Sequence, residues 1–321
     1  MKKIPVIAVV GPTASGKTAL AVKIAQKFNG QVVSADSMQI YKGMDIATAK
    51  PTEEEMGGIR HHLIDFLPTD VRFSVADYVS AAQKCILQIN KDGFIAVVAG
   101  GTGLYIDSLL QNISFCEQKT DDSVRLRIAE EYETLGGEEL LLRLQKVDPE
   151  TANRLHPSDK SRIVRALSLF ESTGTTITEQ YNNSRLSPSP YEVLYIGINY
   201  RDRELLYSRI NGRVDKMLQN GLLEEAKSYF DLSKNTTASQ AIGHKELAPF
   251  FKGEKTLDEC TENLKRETRR YAKRQLTWFR RNENINWIYP DDYQNADEAV
   301  NIALGIAENF LRSCDNGQFE T

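Results

Sequence analysis

Segments typical of buried strands and of amphipathic helices alternate along the first third of the chain. Strand-length segments lie at Ile4–Val10, Gln31–Asp36, Arg60–Asp65 and Phe94–Ala99. Segments with apolar positions at helical spacing lie at Ala19–Phe28 and Val75–Asn90. Buried strands that alternate with helices indicate a parallel sheet covered by helices on both faces. The pattern therefore predicts an α/β fold.

The pattern changes between residues 116 and 190. Glu, Arg and Leu recur there at helical spacing, in Val124–Thr134, Glu138–Val147 and Lys160–Glu171. A strand pattern returns at Val193–Ile198, and further helical segments follow at Arg203–Asn220, Leu222–Phe230, Thr261–Arg281 and Ala296–Leu311. We therefore predict that residues 1–115 and 191–321 form a catalytic core, and that residues 116–190 form an all-helical insertion domain.

The composition excludes some classes of protein. The 321 residues carry a formal net charge of −4, so the chain lacks the overall basic field of many nucleic-acid-binding proteins. The four cysteines are far apart and show no paired metal spacing, which favours a reducing, cytoplasmic compartment. The sequence contains no apolar stretch near the ~20 residues that would cross a bilayer, so we expect no membrane association.

A phosphate-binding motif separates the first strand from the first helix. The residues Gly11-Pro12-Thr13-Ala14-Ser15-Gly16-Lys17-Thr18, here called the P-loop, match the pattern G-x-x-x-x-G-K-[ST]. In such a loop, backbone N–H groups surround an anion and the helix N-terminus adds partial positive charge. Lys17 would reach the outer phosphate, and the Thr18 hydroxyl would bind Mg²⁺. The flanking strand and helix favour a P-loop-type sheet over a glycine-rich turn that only connects them.

Polar residues near the ends of the next strands supply candidate chemistry. Asp36 ends the second strand, and Thr102 follows the glycines after Phe94–Ala99. An ATPase would place a magnesium-binding carboxylate after that apolar strand, so the glycines argue against this class. Asp36 could bind the metal or act as a general base, and it could instead cap a helix or bond within its loop. Thr102 could equally be a turn residue.

The helical segment Thr261–Arg281 carries eight basic residues against two acidic ones. Its basic side chains recur every four residues, in the sets Lys265, Arg269, Lys273 and Arg266, Arg270, Arg274. Such spacing places them along one side of a helix. Most charged helices simply face solvent, but a one-signed bias inside an acidic protein favours binding to phosphate backbones.

Seven segments together resemble the tRNA dimethylallyltransferases (tRNA isopentenyltransferases), in the order of that family and through nearly the whole chain. They are GPTASGKT at 11–18, SADSMQIYKGMDIATAKP at 34–51, HHLID at 61–65, AGGTGLY at 99–105, RIVRAL at 162–167, IGHKE at 242–246 and TRRYAKRQLTWFRR at 268–281. The combination is highly specific, whereas the P-loop alone is not. Two positions depart from the family pattern: Ala47 stands where members commonly have Gly, and His244 where they often have Tyr.

The resemblance implies a prenyl transfer to tRNA. A dimethylallyl group would move from dimethylallyl diphosphate to the exocyclic N6 amine of an adenosine next to the anticodon on its 3′ side. The tRNAs would be those that read codons beginning with U, bound through the anticodon stem-loop. The P-loop would then hold a leaving diphosphate, with Mg²⁺ as cofactor, which explains the missing strand-end carboxylate. We expect a monomer.

Residue chemistry supplies catalytic roles for this reaction. An adenine amine is a poor nucleophile, and a carboxylate that accepts its proton typically contributes a factor of ~10²–10⁴. Asp36 is the candidate base. Lys17 and Arg213 would face the negative charge that grows on the diphosphate, although Arg213 could instead form a surface ion pair. Thr102 would line the channel where the amine meets the allylic carbon.

The target adenine must leave its stack, which costs least in an unpaired loop. Asp36, Ser37, Met38, Gln39 and Thr102 would receive it, with Gln39 offering donor and acceptor edges. Further tRNA contacts would come from the insertion and the basic helix, through Arg125, Ser161, Arg162, Ile163, Val164, Arg165, His244, Arg266, Arg270, Lys273 and Arg274. Composition alone leaves Arg162 and Arg165 equally suited to structural ion pairs.

Two other functions fit parts of the sequence. One is a P-loop nucleoside or nucleotide kinase, for which the basic helix would be unnecessary. The other is a nucleotide-gated RNA-binding module, which would bind tRNA without changing its mass.

Overall fold

Six parallel strands form one sheet in the computed structural model, which describes residues 3–113, 121–184, 188–230, 238 and 241–316. The strands are β1 Ile4–Val10, β2 Gly30–Ser34, β3 His61–His62, β4 Ile95–Gly100, β5 Tyr191–Ile198 and β6 Ile285–Ile288. Their order across the sheet is β3-β2-β4-β1-β5-β6. Each neighbouring pair runs parallel. The predicted parallel α/β architecture is confirmed.

Fourteen helices lie within the described residues. They are α1 Lys17–Lys27, α2 Glu53–Met56, α3 Val75–Lys91, α4 Gly103–Leu110, α5 Asp122–Leu135, α6 Gly137–Val147, α7 Pro149–Ala152, α8 Lys160–Thr173, α9 Ile177–Ser184, α10 Arg203–Gln219, α11 Leu222–Phe230, α12 His244–Phe251, α13 Leu257–Phe279 and α14 Ala296–Asp315. A helix long and apolar enough to span a membrane is not found among them.

Some elements depart from the sequence prediction. Strand β3 has two residues instead of the six predicted, because Leu63 and Asp65 turn the chain out of the extended conformation with φ angles of 59° and 54°. Strand β6 was not predicted, since its buried residues do not alternate with exposed ones. Helix α12 was also missed, because it contains Pro249, a residue that usually ends helices.

The chain folds into two compact units. The first contains residues 1–110 and 190–321, and the second contains residues 111–189. In the first, apolar side chains of the central strands pack against α1 and α14. In the second, α5, α6 and α8 bury their own apolar faces in a separate core that includes Ile128, Leu144 and Ile163. The boundary predicted between residues 115 and 116 lies outside the described residues.

The carboxyl ends of β1, β2 and β4 meet at one edge of the sheet. Gly100, at the end of β4, lies so close to β2 that a Cβ there would come within 2.2 Å of the Ala35 carbonyl oxygen. The N–H of Thr102 donates to that carbonyl at 3.2 Å. Ligands of parallel sheets bind at this edge, where connections leave in opposite directions. The edge therefore brings the P-loop, Asp36 and Thr102 together.

Candidate active site

The P-loop follows β1 and adopts an anion-binding conformation. Ala14 and Gly16 have positive φ angles of 62° and 100°, as in the backbone concavities that bind phosphate. Helix α1 begins at Lys17, and its first-turn N–H groups have no acceptor inside the helix. The buried Ser15 hydroxyl has no hydrogen-bond partner in the part of the chain that the structure describes. The loop therefore offers unsatisfied donors to an anion.

Two cations and one carboxylate stand beside this loop. The Lys17 ammonium donates to the Pro12 carbonyl oxygen at 3.1 Å. Burial and, to a smaller extent, the nearby Arg213 guanidinium lower the pKa of Lys17 to about 8, with Asp36 acting in the opposite direction. Burial also lowers the pKa of Arg213, while Asp36 opposes that shift. An anionic ligand in this environment would raise the pKa of both cations again.

Asp36 and Thr102 fix the start of the loop that follows β2, residues 35–52, here called the Asp36 loop. Asp36 Oδ1 accepts the N–H groups of Met38 and Gln39 at 2.9 and 3.3 Å. Thr102 Oγ1 accepts the N–H of Ser37 at 3.1 Å. The loop-bonding alternative for Asp36 is thus correct for Oδ1, while Oδ2 makes no hydrogen bond to the described residues. One carboxylate oxygen positions the side chain, and the other is available to a substrate.

A cavity of about 270 Å³ connects the P-loop, Arg213 and Asp36, whereas Thr102, which we predicted to line it, is not among its wall residues. Its polar wall includes Lys17, Thr18, Asp36, Ser37 and Arg213. Its apolar wall includes Ala47, Val214, Met217, Ile242 and Leu264, all members or neighbours of one packed hydrophobic cluster. A cavity with a cationic end and an apolar wall fits a ligand that has an anionic head and a short hydrocarbon chain.

The second half of the Asp36 loop is held by a carboxylate of α11. Glu225 accepts the backbone N–H groups of Asp45, Ile46 and Ala47 at 2.8, 2.7 and 2.9 Å. Its side chain also bonds His244 Nε2 at 3.0 Å. Burial alone would raise the pKa of Glu225, but these hydrogen bonds outweigh it and lower the pKa. Glu225 therefore anchors the loop as a carboxylate.

The structure corrects two predicted tRNA contacts. His244 is buried and stacks on Tyr229, with ring centroids 5.0 Å apart, so it supports the Asp36 loop and does not line the cavity. Gln39 lines the cavity, but its Nε2 donates to the carbonyl oxygens of Thr48 and Ala49 at 3.2 and 3.1 Å. The donor edge that we expected Gln39 to offer to a base is already used within the loop.

Helix α13 divides its basic residues between two environments. Lys265 pairs with Asp215 at 2.9 Å, and Arg269 donates to Asn211 at 2.7 Å, so both are bound to α10. The four predicted tRNA contacts on this helix, by contrast, are exposed: Arg266, Arg270, Lys273 and Arg274. Of these, Arg274 also lines the cavity. The cationic surface of α13 is therefore narrower than the sequence indicated.

The basic residues of the helical unit also fall into two groups, ion-paired and exposed. Arg127 and Arg143 form ion pairs with Glu131 and Glu171. The predicted tRNA contacts Arg125, Ser161, Arg162 and Arg165 are exposed. These three arginines form no ion pair within the described residues. Among those residues, Arg162 and Arg165 therefore have no structural ion pair, which was the alternative to tRNA binding.

The same unit also requires a correction. Ile163 and Val164, which we predicted to contact tRNA, are 0% and 4% exposed and belong to the helical core. Their side chains therefore stabilise the unit and cannot reach an RNA surface.

Sequence reasoning missed three residues of the site. Tyr271 and Gln275 line the cavity from α13, and Glu225 anchors the Asp36 loop. The first two had a usable signal, because positions four apart share one face of a helix and both lie within the segment 268–281. Glu225 had none, since 180 residues separate it from its partner Asp45.

The donor set suits a magnesium ion that is held mainly by its substrate. The described residues contain no group of three or more His, Cys, Asp or Glu side chains that could bind a metal. Thr18 and Asp36 line the same cavity and offer hard oxygen donors. Mg²⁺ commonly binds through one or two protein oxygens together with substrate phosphates and water. These residues fit that mode.

Comparisons with known proteins agree with the geometry. A family model described as IPP transferase matches residues 39–282. A tRNA dimethylallyltransferase from Thermoanaerobacter sp. (strain X514) is 46% identical over 299 residues, which are 92% of this chain and 95% of that protein.

Two solved structures are also similar. The full-length tRNA isopentenylpyrophosphate transferase from Bacillus halodurans has a TM-score of 0.74 at 38% identity, over 98% of this chain and 99% of that chain. A eukaryotic dimethylallyltransferase, captured in crystallographic snapshots acting on tRNA, has a TM-score of 0.81 at 28% identity, over 97% of this chain and 80% of that chain.

Proposed function

This chain belongs to the IPP transferase family, and we propose that it transfers a dimethylallyl group from dimethylallyl diphosphate to tRNA. The acceptor is the N6 amine of the adenosine on the 3′ side of the anticodon, in tRNAs that read codons beginning with U. The observation that carries the proposal is the single cavity in which the P-loop, an apolar wall and Asp36 meet. We further propose that the enzyme acts as a monomer in the cytoplasm.

We propose a position in this cavity for each part of the donor. The P-loop N–H groups, Lys17 and Arg213 bind the diphosphate, where negative charge grows as it leaves. The apolar wall around Val214 and Met217 binds the five-carbon chain and excludes water from the allylic carbon. Thr18 would hold a bound Mg²⁺, which would supply further charge stabilisation to the diphosphate.

The transfer itself exchanges one bond for another. The carbon–oxygen bond between the allylic carbon and diphosphate breaks, and its electron pair leaves with diphosphate. A carbon–nitrogen bond forms from the adenine N6 lone pair, and the amine proton passes to Asp36. Oδ1 of Asp36 stays bonded to its loop, so Oδ2 accepts that proton. Thr102, whose Oγ1 holds the Ser37 N–H, keeps the adjoining backbone in place.

Two cationic surfaces suit the anticodon stem-loop. One lies on α13, where Arg266, Arg270, Lys273 and Arg274 are exposed. The other lies on the helical unit, where Arg125, Arg162 and Arg165 are exposed and unpaired within the described residues. Contacts of this kind bind backbone phosphates and position the RNA without reading its sequence. The kinase alternative receives no support, because Gly100 ends β4 and is followed by Gly101 and Thr102, with no carboxylate.

The direct test incubates unmodified tRNA with dimethylallyl diphosphate and Mg²⁺, followed by mass analysis of the nucleosides. We expect one adenosine per tRNA to gain a dimethylallyl unit, and we expect sequencing of the fragments to place it beside the anticodon. A parallel reaction with ATP tests the kinase alternative. Consumption of ATP with chemically unchanged tRNA would contradict the proposal.

The tRNA surface is tested by the double variant Arg270→Ala with Arg274→Ala. Binding of tRNA releases fewer counterions when a phosphate contact is lost. The slope of log affinity against log salt should therefore become shallower by about one per lost contact. Arg312→Ala is the matched control, since Arg312 is an exposed, ion-paired arginine on α14. An unchanged slope in the double variant would remove this surface from the interface.

A further inference from the structure

Gln275 is a buried polar residue whose amide joins two loops of the site. Only 5% of its surface is exposed. Its Oε1 accepts the backbone N–H of Thr13, in the P-loop, at 2.8 Å. Its Nε2 donates to the carbonyl oxygen of Gly101, in the loop after β4, at 3.0 Å. One side chain of α13 therefore bonds the P-loop and the β4 loop together.

The bond to Thr13 holds the P-loop next to its strained residue, Ala14. The next residue, Ala14, has a φ of 62°, a left-handed conformation that non-glycine residues adopt only where their surroundings enforce it. The Ala14 carbonyl oxygen accepts from Arg209 Nε, on α10, at 2.9 Å. The backbone before and after the strained residue is thus held from two different helices.

Gly101 shows that the position of this amide constrains the sequence. A Cβ at residue 101 would lie 2.0 Å from Gln275 Nε2 and 3.2 Å from Gln275 Cδ, whereas its nearest contact outside Gln275, with the Gly11 carbonyl oxygen, would be an ordinary 3.6 Å. The backbone of Gly101 does not have a positive φ. The main obstacle to a side chain at this position is therefore the Gln275 amide.

Tyr271, one helical turn before Gln275, extends the same face of α13. Its hydroxyl lies near the side chains of Thr102 and Gln275, which oppose the rise in its pKa caused by burial. Thr102 in turn accepts the Ser37 N–H at the start of the Asp36 loop. The face formed by Tyr271 and Gln275 therefore contacts the three segments that surround the reacting groups.

We propose that Gln275 is a positioning residue that holds the P-loop in its diphosphate-binding conformation, and that residue 101 is glycine to admit the Gln275 amide. The inference rests on the proposed function only in taking diphosphate as the P-loop ligand. Gln275 acts through Thr13 and transfers no proton. Its loss lets the strained loop relax, so part of the binding energy is spent on restoring it.

The first experiment measures binding of inorganic diphosphate, in the presence of Mg²⁺, by titration calorimetry. Gln275→Ala should weaken binding about tenfold or more, because it leaves the Thr13 N–H without its buried partner. The matched control is Gln26→Ala, since Gln26 Nε2 also donates to a glycine carbonyl, that of Gly57, at 3.0 Å, but on the surface away from the site. This control should bind diphosphate as the wild type does.

Steady-state kinetics separates positioning from general destabilisation. In Gln275→Ala, the KM for dimethylallyl diphosphate should rise by a factor similar to the loss in diphosphate binding, while the KM for tRNA should stay within about twofold. A general loss of folded protein would lower kcat and leave both KM values unchanged.

The second experiment uses the predicted clash. Gly101→Ala alone should displace the amide and weaken diphosphate binding, and it provides the same test should Gln275→Ala fail to fold. In the Gln275→Ala background, Gly101→Ala should weaken diphosphate binding little further, because the amide atom that the new Cβ would clash with is absent.

The outcomes are distinct. Equal diphosphate binding by wild type and Gln275→Ala would overturn the inference and leave the proposed function intact, as would additive effects of the two substitutions. Failure of the wild-type protein to bind diphosphate would overturn both proposals.

Discussion

The P-loop and the Asp36 loop lie at the same edge of the sheet, but they obtain their shapes in different ways. The P-loop is specified locally, by a short motif between β1 and α1, and it presents mainly backbone N–H groups. The Asp36 loop has no phosphate-binding motif, and distant side chains hold it, Thr102 at its start and Glu225 in its second half. A binding motif can be read from sequence spacing, whereas the contacts of the distant side chains that hold a loop, such as Gln275 for the P-loop and Glu225 for the Asp36 loop, cannot.

The sharpest test of this difference is Asp36→Asn. Asparagine keeps an oxygen that accepts the Met38 and Gln39 N–H groups, so the loop should keep its shape, but it cannot accept the amine proton. We expect single-turnover prenyl transfer to slow by ~10²–10⁴. Binding of tRNA, measured by filter retention, should change little. A variant with normal turnover would show that Asp36 is structural only.

Lys17→Ala tests the P-loop in the same way. Removal of the ammonium should raise the KM for dimethylallyl diphosphate roughly tenfold to hundredfold, because a charge-assisted contact with the diphosphate is lost. The KM for tRNA serves as the internal control and should not change. Kinetics identical to wild type would exclude Lys17 from the diphosphate site.

The pKa of Lys17 gives the P-loop a pH dependence that the Asp36 loop should lack. Because the pKa is about 8 in the free protein, Lys17 loses its charge as the pH rises through 8, and diphosphate affinity should fall above that value. If binding requires the single proton of Lys17, diphosphate affinity falls by at most about tenfold for each pH unit. Calorimetry in buffers of different ionisation enthalpy should detect proton uptake on binding above pH 8, and Lys17→Ala should abolish it.

Glu225→Gln should have the smallest effect of the set. The amide retains one oxygen for the N–H groups of Asp45 and Ile46, but its NH2 group replaces the oxygen that accepts from Ala47, and the charge that strengthens these bonds is lost. We expect prenyl transfer to slow by a factor of roughly three to ten, with diphosphate binding unchanged. A parallel loss of diphosphate binding would show that the two loops are not independent.

The sequence predicted those parts of the molecule whose causes are local. The buried strands, the P-loop and Asp36 follow from short patterns, and the helices of the insertion follow from their spacing. Ile163 and Val164 lie between two exposed arginines in sequence, but the 3.6-residue period of a helix turns them, with Leu167, toward the core. His244 was misassigned because its partner Glu225 belongs to another helix.

The ends of the helical unit lie beside each other. Asn112 Nδ2 donates to the Pro188 carbonyl oxygen at 3.2 Å, so the chain enters and leaves this unit at nearly one point. Insertions between closely spaced ends disturb a host fold little, because they leave its strand pairing unchanged. The unit can therefore lengthen, shorten or be exchanged during evolution without altering the catalytic sheet. An engineer could likewise replace residues 111–189 with a short linker, to obtain a minimal diphosphate-binding scaffold.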